Sequence, residues 1–540
     1  MSKEYSKEEL EKMVKKRVDQ EKEILGPDSK DVPSDENAPL DYEFVSKCFL
    51  RNEVGGSELY SHIYHNKFAC NDTSEHWMAF VGPHWEVDKM NRRSLGATEA
   101  VVQAYLDFLL KPVEEKLAEY DLNDKDERAT AKPILVQRKV IQARIDRIFS
   151  KAGRTALLDC AATNLTPLFL SPDQLDQNQL LLPCANGVYD LENDEFRDGR
   201  PEDYLTSCSP YKFEGLDARA DRFDDYLFNS TGANQADYDC LRRHIGYAIT
   251  GLRKERMFIV LHGPHGQNGK GTFLNILNKI LGSMAGSLQT EMLMQQRGGA
   301  KVGGPTPEIL DLKGKRVVFA SETEKNQKFA NGLVKKWSGG DEMSGRGMNE
   351  NFITRFDPTH TLFMICNNLP TAPADDDAFW SRIRVFNFPY SYQQKERCKE
   401  AYHRVADPGL EKYVLEHEAP GVIAWLIGCY KMYQRDGLKL SPNVIKWSQE
   451  YRDREDNIQD FVDACCIVDK DDPSTSNRTK AKDLYQRYKA WHEGNDSYRC
   501  LGSKDFSGIM QLKGFERIKS SGIWHYSYIK ISLAKEALEA

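Results

Sequence analysis

Between Gly263 and Leu277 the chain reads "GPHGQNGKGTFLNIL", with glycines at 263, 266, 269 and 271 packed around Lys270 and Thr272. Bare glycines let successive backbone N–H groups turn toward one anion. A helix starting there adds its positive end, and a lysine reaches the outer oxygens, so the chemistry served is the gripping of a phosphate chain. The usual spacing wants glycine where Pro264 stands and a hydroxyl where Gly271 stands. The element order supports a phosphate loop nonetheless. The apolar run "MFIVL" (257–261) predicts a buried strand before it, and Phe273, Leu274, Ile276, Leu277 and Ile280 predict a helix from about 270.

Three more reactive groups stand at the margins of apolar runs. "RVVFASETE" places Glu322 just past a strand, where a carboxylate can activate water and face a metal ion, with Glu324 as its alternative. "HTLFMICNN" ends in Asn367 and Asn368, and an amide at a strand tip can hold an attacking water. "FWSRIRVFNF" sets Arg382 and Arg384 two apart at a strand start, facing the same way. Such an arginine either reaches a neighbouring subunit's phosphates or forms a surface ion pair.

These groups need a scaffold of alternating strands and helices, and residues 236–390 supply one. The runs at 257–261, 316–320 and 360–366 predict buried strands of a parallel α/β sheet. Residues 1–39 read as a charged helix and a polar linker. Residues 40–235 are mixed: "HWMAFVGPHWEVD" predicts two strands about a Gly-Pro turn, "LLLPCANGVYDLENDEFRDG" a hairpin turning at 192–194, and 97–120 and 132–153 amphipathic helices. Residues 393–470 read as helical. In 471–540, two helical patterns precede a strand pair across a Ser-Gly turn, the order of a winged-helix nucleic-acid-binding module.

At 540 residues the chain is too long for one core. Apolar residues make up 40% and charged residues 29%, and no apolar run is long enough to span a membrane. The charged start excludes a secretory signal. Twelve scattered cysteines without a CxxC pair fit reduced thiols, and a cytoplasmic location is expected. The net charge of −8 argues against wholesale coating of nucleic acid, yet between Ser476 and Lys530 eleven basic residues face only five acidic ones. That local excess is either a nucleic-acid contact or a solvated face.

Together these motifs resemble superfamily 3 helicases, in particular the poxvirus and phage/plasmid primase–helicase family. "GQNGKGTFL" is similar to its Walker A, "VVFASETE" to its Walker B, "VKKWSGGDEMSGR" to the motif between B and C, "FMICNNLP" to motif C and "FWSRIRVFNF" to the arginine-finger segment. "NGVYDLENDEFRDGRPEDYLT" and "LRRHIGYAITG" resemble the helicase-associated N-terminal domain, and "LYQRYKAWHEG" with "FSGIMQLKGFERIK" the C-terminal winged helix. The resemblance implies an AAA+-like ATPase core at 236–392, between an associated domain at 40–235 and a winged helix at 471–540. It implies an ATP site of Gly263, Gly266, Asn268, Gly269, Lys270, Gly271 and Thr272, with Mg2+ at Thr272 and Glu322. Asn367 becomes the sensor, and Arg382, ahead of Arg384, the finger.

The resemblance further implies a homo-hexameric ring on single-stranded and forked DNA. Lys335, Lys336 and Arg346 flank a channel hairpin near "GMNENFITRF", unless the two lysines are ordinary helix-surface groups. Lys504, Lys513, Arg517 and Lys519 are the DNA-binding set of the winged helix, which could equally dock a replication partner. Only about forty residues precede the associated domain, so a helicase working with a separate primase is expected. A replication initiator or defence ATPase that uses ATP only to assemble shares all of these motifs. A P-loop kinase shares only the lysine and glycines.

Overall fold

The computed structural model describes residues 39–71, 76–164, 168–171, 173–295, 306–321, 327–348, 353–470, 474, 477–493 and 500–532. They form a mixed α/β protein of two compact units, dividing between Lys212 and Phe213. Among them no helix is long and apolar enough to cross a membrane. All twelve cysteines are free thiols.

The first unit builds a helical core around Tyr60, Tyr105, Ile145 and Leu157, all essentially buried. The expected hairpin appears as Trp77–Phe80 against Trp85–Val87, and the second as Gly187–Asp190 against Glu195–Arg197. The long helix at 99–117 contains a wide turn at Leu106–Leu110 just before Pro112. Proline lacks an N–H and crowds the carbonyl four residues back, and a locally widened helix accommodates both defects.

In the second unit, helices α1 (Asp221–Ser230) and α2 (Gln235–Ala248) lead into the sheet. Next come β1 (Phe258–His262), α3 (Lys270–Leu281), β2 (Ala285–Gln289), β3 (Val317–Ser321), β4 (Thr361–Cys366) and β5 (Ile383–Asn387). All neighbours pair parallel, in the order β5-β1-β4-β3-β2. Phe258, Ile259, Val260 and Leu261 have no exposed surface. This explains a run without alternation, because a parallel strand is covered on both faces. β2, "AGSLQ", lacks such a run and is an element that hydrophobic patterning alone does not reveal.

The division falls at 212/213, ahead of helix α1. Helix α1 belongs to the sheet-bearing unit because its aromatic face is buried there: Phe223 lies 6.5 Å from Phe273 and 5.2 Å, edge-on, from Trp425. Burying a side chain of this size contributes about 2–3 kcal/mol. Residues 391–405 are mostly extended, with one 3-10 turn at Lys395–Arg397. Ser391–Gln393 pairs with His403–Val405, and the helices resume with Leu410–Tyr413, Ala419–Asp436 and Pro442–Arg454.

The C-terminal part holds helices Asn457–Cys465, Ala481–Glu493 and Ser503–Leu512, and strands Arg478–Lys480, Arg517–Ser520 and Ile523–Ser527. Phe461, Tyr488, Trp491, Phe506 and Tyr526 form its core, to which the helix Asn457–Cys465 contributes. The turn at Ser521–Gly522 places both residues at positive φ, 49° and 81°, which is where a two-residue hairpin turn needs them.

Candidate nucleotide site

The loop leaves β1 at His262 and enters α3 at Lys270, and two of its glycines, Gly263 and Gly269, are required by what surrounds them. A Cβ on Gly263 would lie 2.5 Å from both the Asn268 side chain and Lys270 Nζ. Gly269 sits at φ +85°, and a Cβ there would meet the Tyr226 hydroxyl at 2.9 Å. The Tyr226 hydroxyl donates to the Gly269 carbonyl. By contrast Gly271 has open space where a Cβ would be, leaving bare backbone at the first turn of α3.

Asn268 is almost fully buried, and its amide donates to the carbonyls of Phe388 (2.9 Å) and Tyr390 (2.8 Å). It therefore pins the loop to the segment after β5 instead of offering those protons to a ligand. The same segment holds the loop twice more: Ser391 Oγ donates to the Gly266 carbonyl at 2.8 Å and Tyr392 N to the Gln267 carbonyl at 2.8 Å.

Lys270 Nζ donates to Asn268 Oδ1 at 2.8 Å and to Asn367 Oδ1 at 3.0 Å. Burial pulls its pKa down to about 8, because a charged amine is poorly solvated there. An anion beside the amine would stabilise its charged form. A cavity of about 1000 Å³ opens in front of it. Gln267–Thr272 and Asn367 line one side, Arg222, Tyr226 and Tyr392 another, and Arg404–Pro408 a third. The Arg404 guanidinium lies 3.6 Å over the Tyr390 ring, holding this last wall in place.

The structure brings Lys270, Thr272 and Asn367 to one cavity. Glu322 and Glu324 lie outside the described residues. β3 is traceable to Ser321, which pairs with Ile365 on β4, two residues before Asn367. Arg382 is not brought to this cavity: it stands at the start of β5, level with Phe258, the full length of β1 away from the loop. At about 3.3 Å per residue that separation is roughly 15 Å. Its guanidinium donates to the Ala378 carbonyl. Arg384 lies half-buried toward α2, near enough to Cys240 and His244 to act on both electrostatically, and donates to the Ile383 carbonyl at 2.9 Å.

Among the basic residues expected at DNA, Lys335 forms an ion pair with Asp376 at 2.8 Å, and Asp376 caps the helix Asp377–Trp380. That lysine is a structural tie. Lys336 is half-buried, and the Arg346 backbone exchanges hydrogen bonds with Thr306. The expected hairpin has its stem, Met343–Gly345 antiparallel to Thr354–Phe356, with Met348 69% and Ile353 63% exposed beyond it. Its tip, 349–352, lies outside the described residues. Lys513 is tied to Asp456 at 2.5 Å, whereas Lys504, Arg517 and Lys519 are exposed. Tyr226, Tyr392, Arg404 and the His262–Asn387 pair (3.0 Å) are additions that no local motif signals.

The fold and this loop define a mixed α/β protein with a glycine-rich turn at the tip of a parallel sheet. Residues 57–231 match the family described as D5 N terminal like, and residues 261–382 a family of unknown function, DUF5906. A protein of Acanthamoeba polyphaga mimivirus named "Putative helicase" is 29% identical over 364 residues, covering 65% of this chain and 37% of that one. One of Frog virus 3 with the same printed description is 23% identical over 417 residues, covering 63% and 41%. One of Sputnik virophage is 30% identical over 169 residues, covering 28% and 22%. The apo structure of the NrS-1 C terminal region aligns with a TM-score of 0.37 at 14% identity, over 59% of this chain and 79% of that one. Over these spans the chain is similar to viral proteins named as putative helicases. It spans about two fifths of the length of the two longer-matching viral relatives.

Proposed function

We propose that this chain is an ATP-driven DNA helicase that forms a ring, translocates on single-stranded DNA and opens duplex during replication of a virus, phage or mobile element. One observation carries this reading. Lys270 and Asn367 meet at the tips of adjacent parallel strands, while Arg382 stands at the opposite end of the same sheet. An arginine so placed cannot serve its own chain's cavity but is free to serve a neighbour's, as a ring of identical subunits requires.

In this mechanism the loop N–H groups and the dipole of α3 hold the phosphates of ATP, and the Lys270 ammonium neutralises the outer oxygens. Asn367, released from Lys270, holds the attacking water. Glu322 takes that water's proton, and Arg382 of the next subunit stabilises the charge that builds on the leaving phosphate. Mg2+, held there, would supply charge neutralisation on the phosphates. Thr272, which lines the cavity, and Glu322 are hard oxygen donors of the type that would hold it. The parallel sheet supports the AAA+-like core, and two helices followed by a paired hairpin support a winged helix.

The test is strand displacement on forked DNA with ATP and Mg2+, beside Lys270→Ala. The wild type is expected to unwind and the variant to do neither hydrolysis nor unwinding. DNA-stimulated hydrolysis without displacement by the wild type would replace this reading with an assembly ATPase.

A further inference from the structure

The C-terminal hairpin carries an exposed aromatic group that the nucleotide site does not use. Trp524 lies opposite Lys519 in the register of Arg517–Ser520 and Ile523–Ser527, and its residue is 42% exposed. The Arg517 guanidinium sits 4.7 Å from the centroid of its ring and the Lys519 ammonium 5.8 Å. Arg517 is itself anchored by donating to Ser507 on the helix Ser503–Leu512, at 3.3 Å. Lys504, exposed and three residues before Ser507, lies on the same helix face. Ile523, 46% exposed, extends the apolar surface to the turn. Two cations held against one indole, with a third on the helix that anchors Arg517, suit a chain that alternates flat rings with phosphates.

We propose that Trp524, flanked by Arg517, Lys519 and Lys504, is a stacking site for an unpaired base of single-stranded nucleic acid at the mouth of a fork. A base in a duplex is already stacked on both faces, so an exposed indole distinguishes unpaired from paired strands. The cations meet the flanking phosphates, which any sequence presents. This rests on the helicase reading only for the fork; the stacking site itself needs no nucleotide.

The test uses the full chain without ATP, so that failure of the ATPase assignment leaves it intact. Anisotropy of a labelled twenty-nucleotide oligothymidylate and of a blunt duplex is measured for wild type, Trp524→Ala and Trp524→Phe. Trp524→Ala is expected to lose about tenfold in single-strand affinity, with duplex affinity changed less than about twofold, and Trp524→Phe to recover most of the loss. Photocrosslinking of an iodouracil-substituted oligonucleotide should map to Trp524. Thermal melting equal to wild type establishes that the Ala variant is folded. Equal loss on duplex, unchanged single-strand binding, or a crosslink map that omits Trp524 would each overturn the proposal.

Discussion

The Lys270 ammonium and the Asn367 amide oxygen lie 3.0 Å apart, joining the phosphate loop of one strand to the tip of its neighbour. The bond satisfies a buried amine in the absence of an anion, and it must open for Lys270 to turn to a phosphate. Asn367→Ala should therefore separate binding from chemistry. ATP affinity should change by less than about threefold, because Lys270 loses a competitor as well as a partner, while kcat falls by 10²-fold or more. Binding calorimetry beside steady-state hydrolysis measures both, and equal losses in the two would sink the role given to Asn367.

Because the Lys270 pKa sits at about 8, nucleotide binding should be proton-linked. A bound polyphosphate raises that pKa toward the ordinary lysine value, so the complex holds a proton that the free protein loses above pH 8. Affinity should be level below pH 8 and fall as pH rises beyond it. Calorimetry in buffers of different ionisation enthalpy should register proton uptake at pH 9 and little at pH 7. Lys270→Met should abolish the difference.

Gly269→Ala should cripple the loop without unfolding the protein. The new methyl requires positive φ and crowds the Tyr226 hydroxyl, a local cost of about 1–3 kcal/mol. ATP binding should weaken at least tenfold while the melting temperature falls by only a few degrees. Tyr226→Phe combined with Gly269→Ala should recover part of the binding, since the clash is with that hydroxyl. No recovery would place the strain elsewhere.

The separation of Arg382 from its own cavity predicts complementation. Lys270→Ala and Arg382→Ala should each be inactive, and an equimolar mixture should regain hydrolysis, since about a quarter of interfaces in a randomly mixed ring pair an intact lysine with an intact arginine. Activity that stays absent after mixing and exchange would put the arginine's role within one chain.

Glu455 gives a pH prediction for stability. Burial raises its pKa to about 7, although the Ala372 N–H donates to it at 2.9 Å. The folded state then binds a proton that the unfolded chain has lost above its ordinary value. Glu455 therefore costs stability progressively as pH rises from about 4.5 to 7, by up to about 3 kcal/mol. Glu455→Gln should flatten that part of the stability profile in urea melts. An unchanged slope would assign it to another group.

Much of the site was legible because its parts are local in sequence. Lys270, its glycines and Asn367 each follow an apolar run, and such runs predict the buried parallel strands β1, β3 and β4 directly. What remained hidden depends on residues far apart. Tyr226 is one, because a helix face does not say what it packs against, and only the fold brings it to Gly269. Lys335 and Lys513 read as free cations until Asp376 and Asp456 came beside them, whereas Trp524 read as ordinary strand content until the hairpin placed Arg517 and Lys519 against it. By itself the sequence determined the chemistry available, since residue type and short spacing decide which groups stand at a strand tip. The tertiary structure alone decided which groups share a cavity and which are tied down, because those relations depend on the order of strands in the sheet and on charges brought together across long loops.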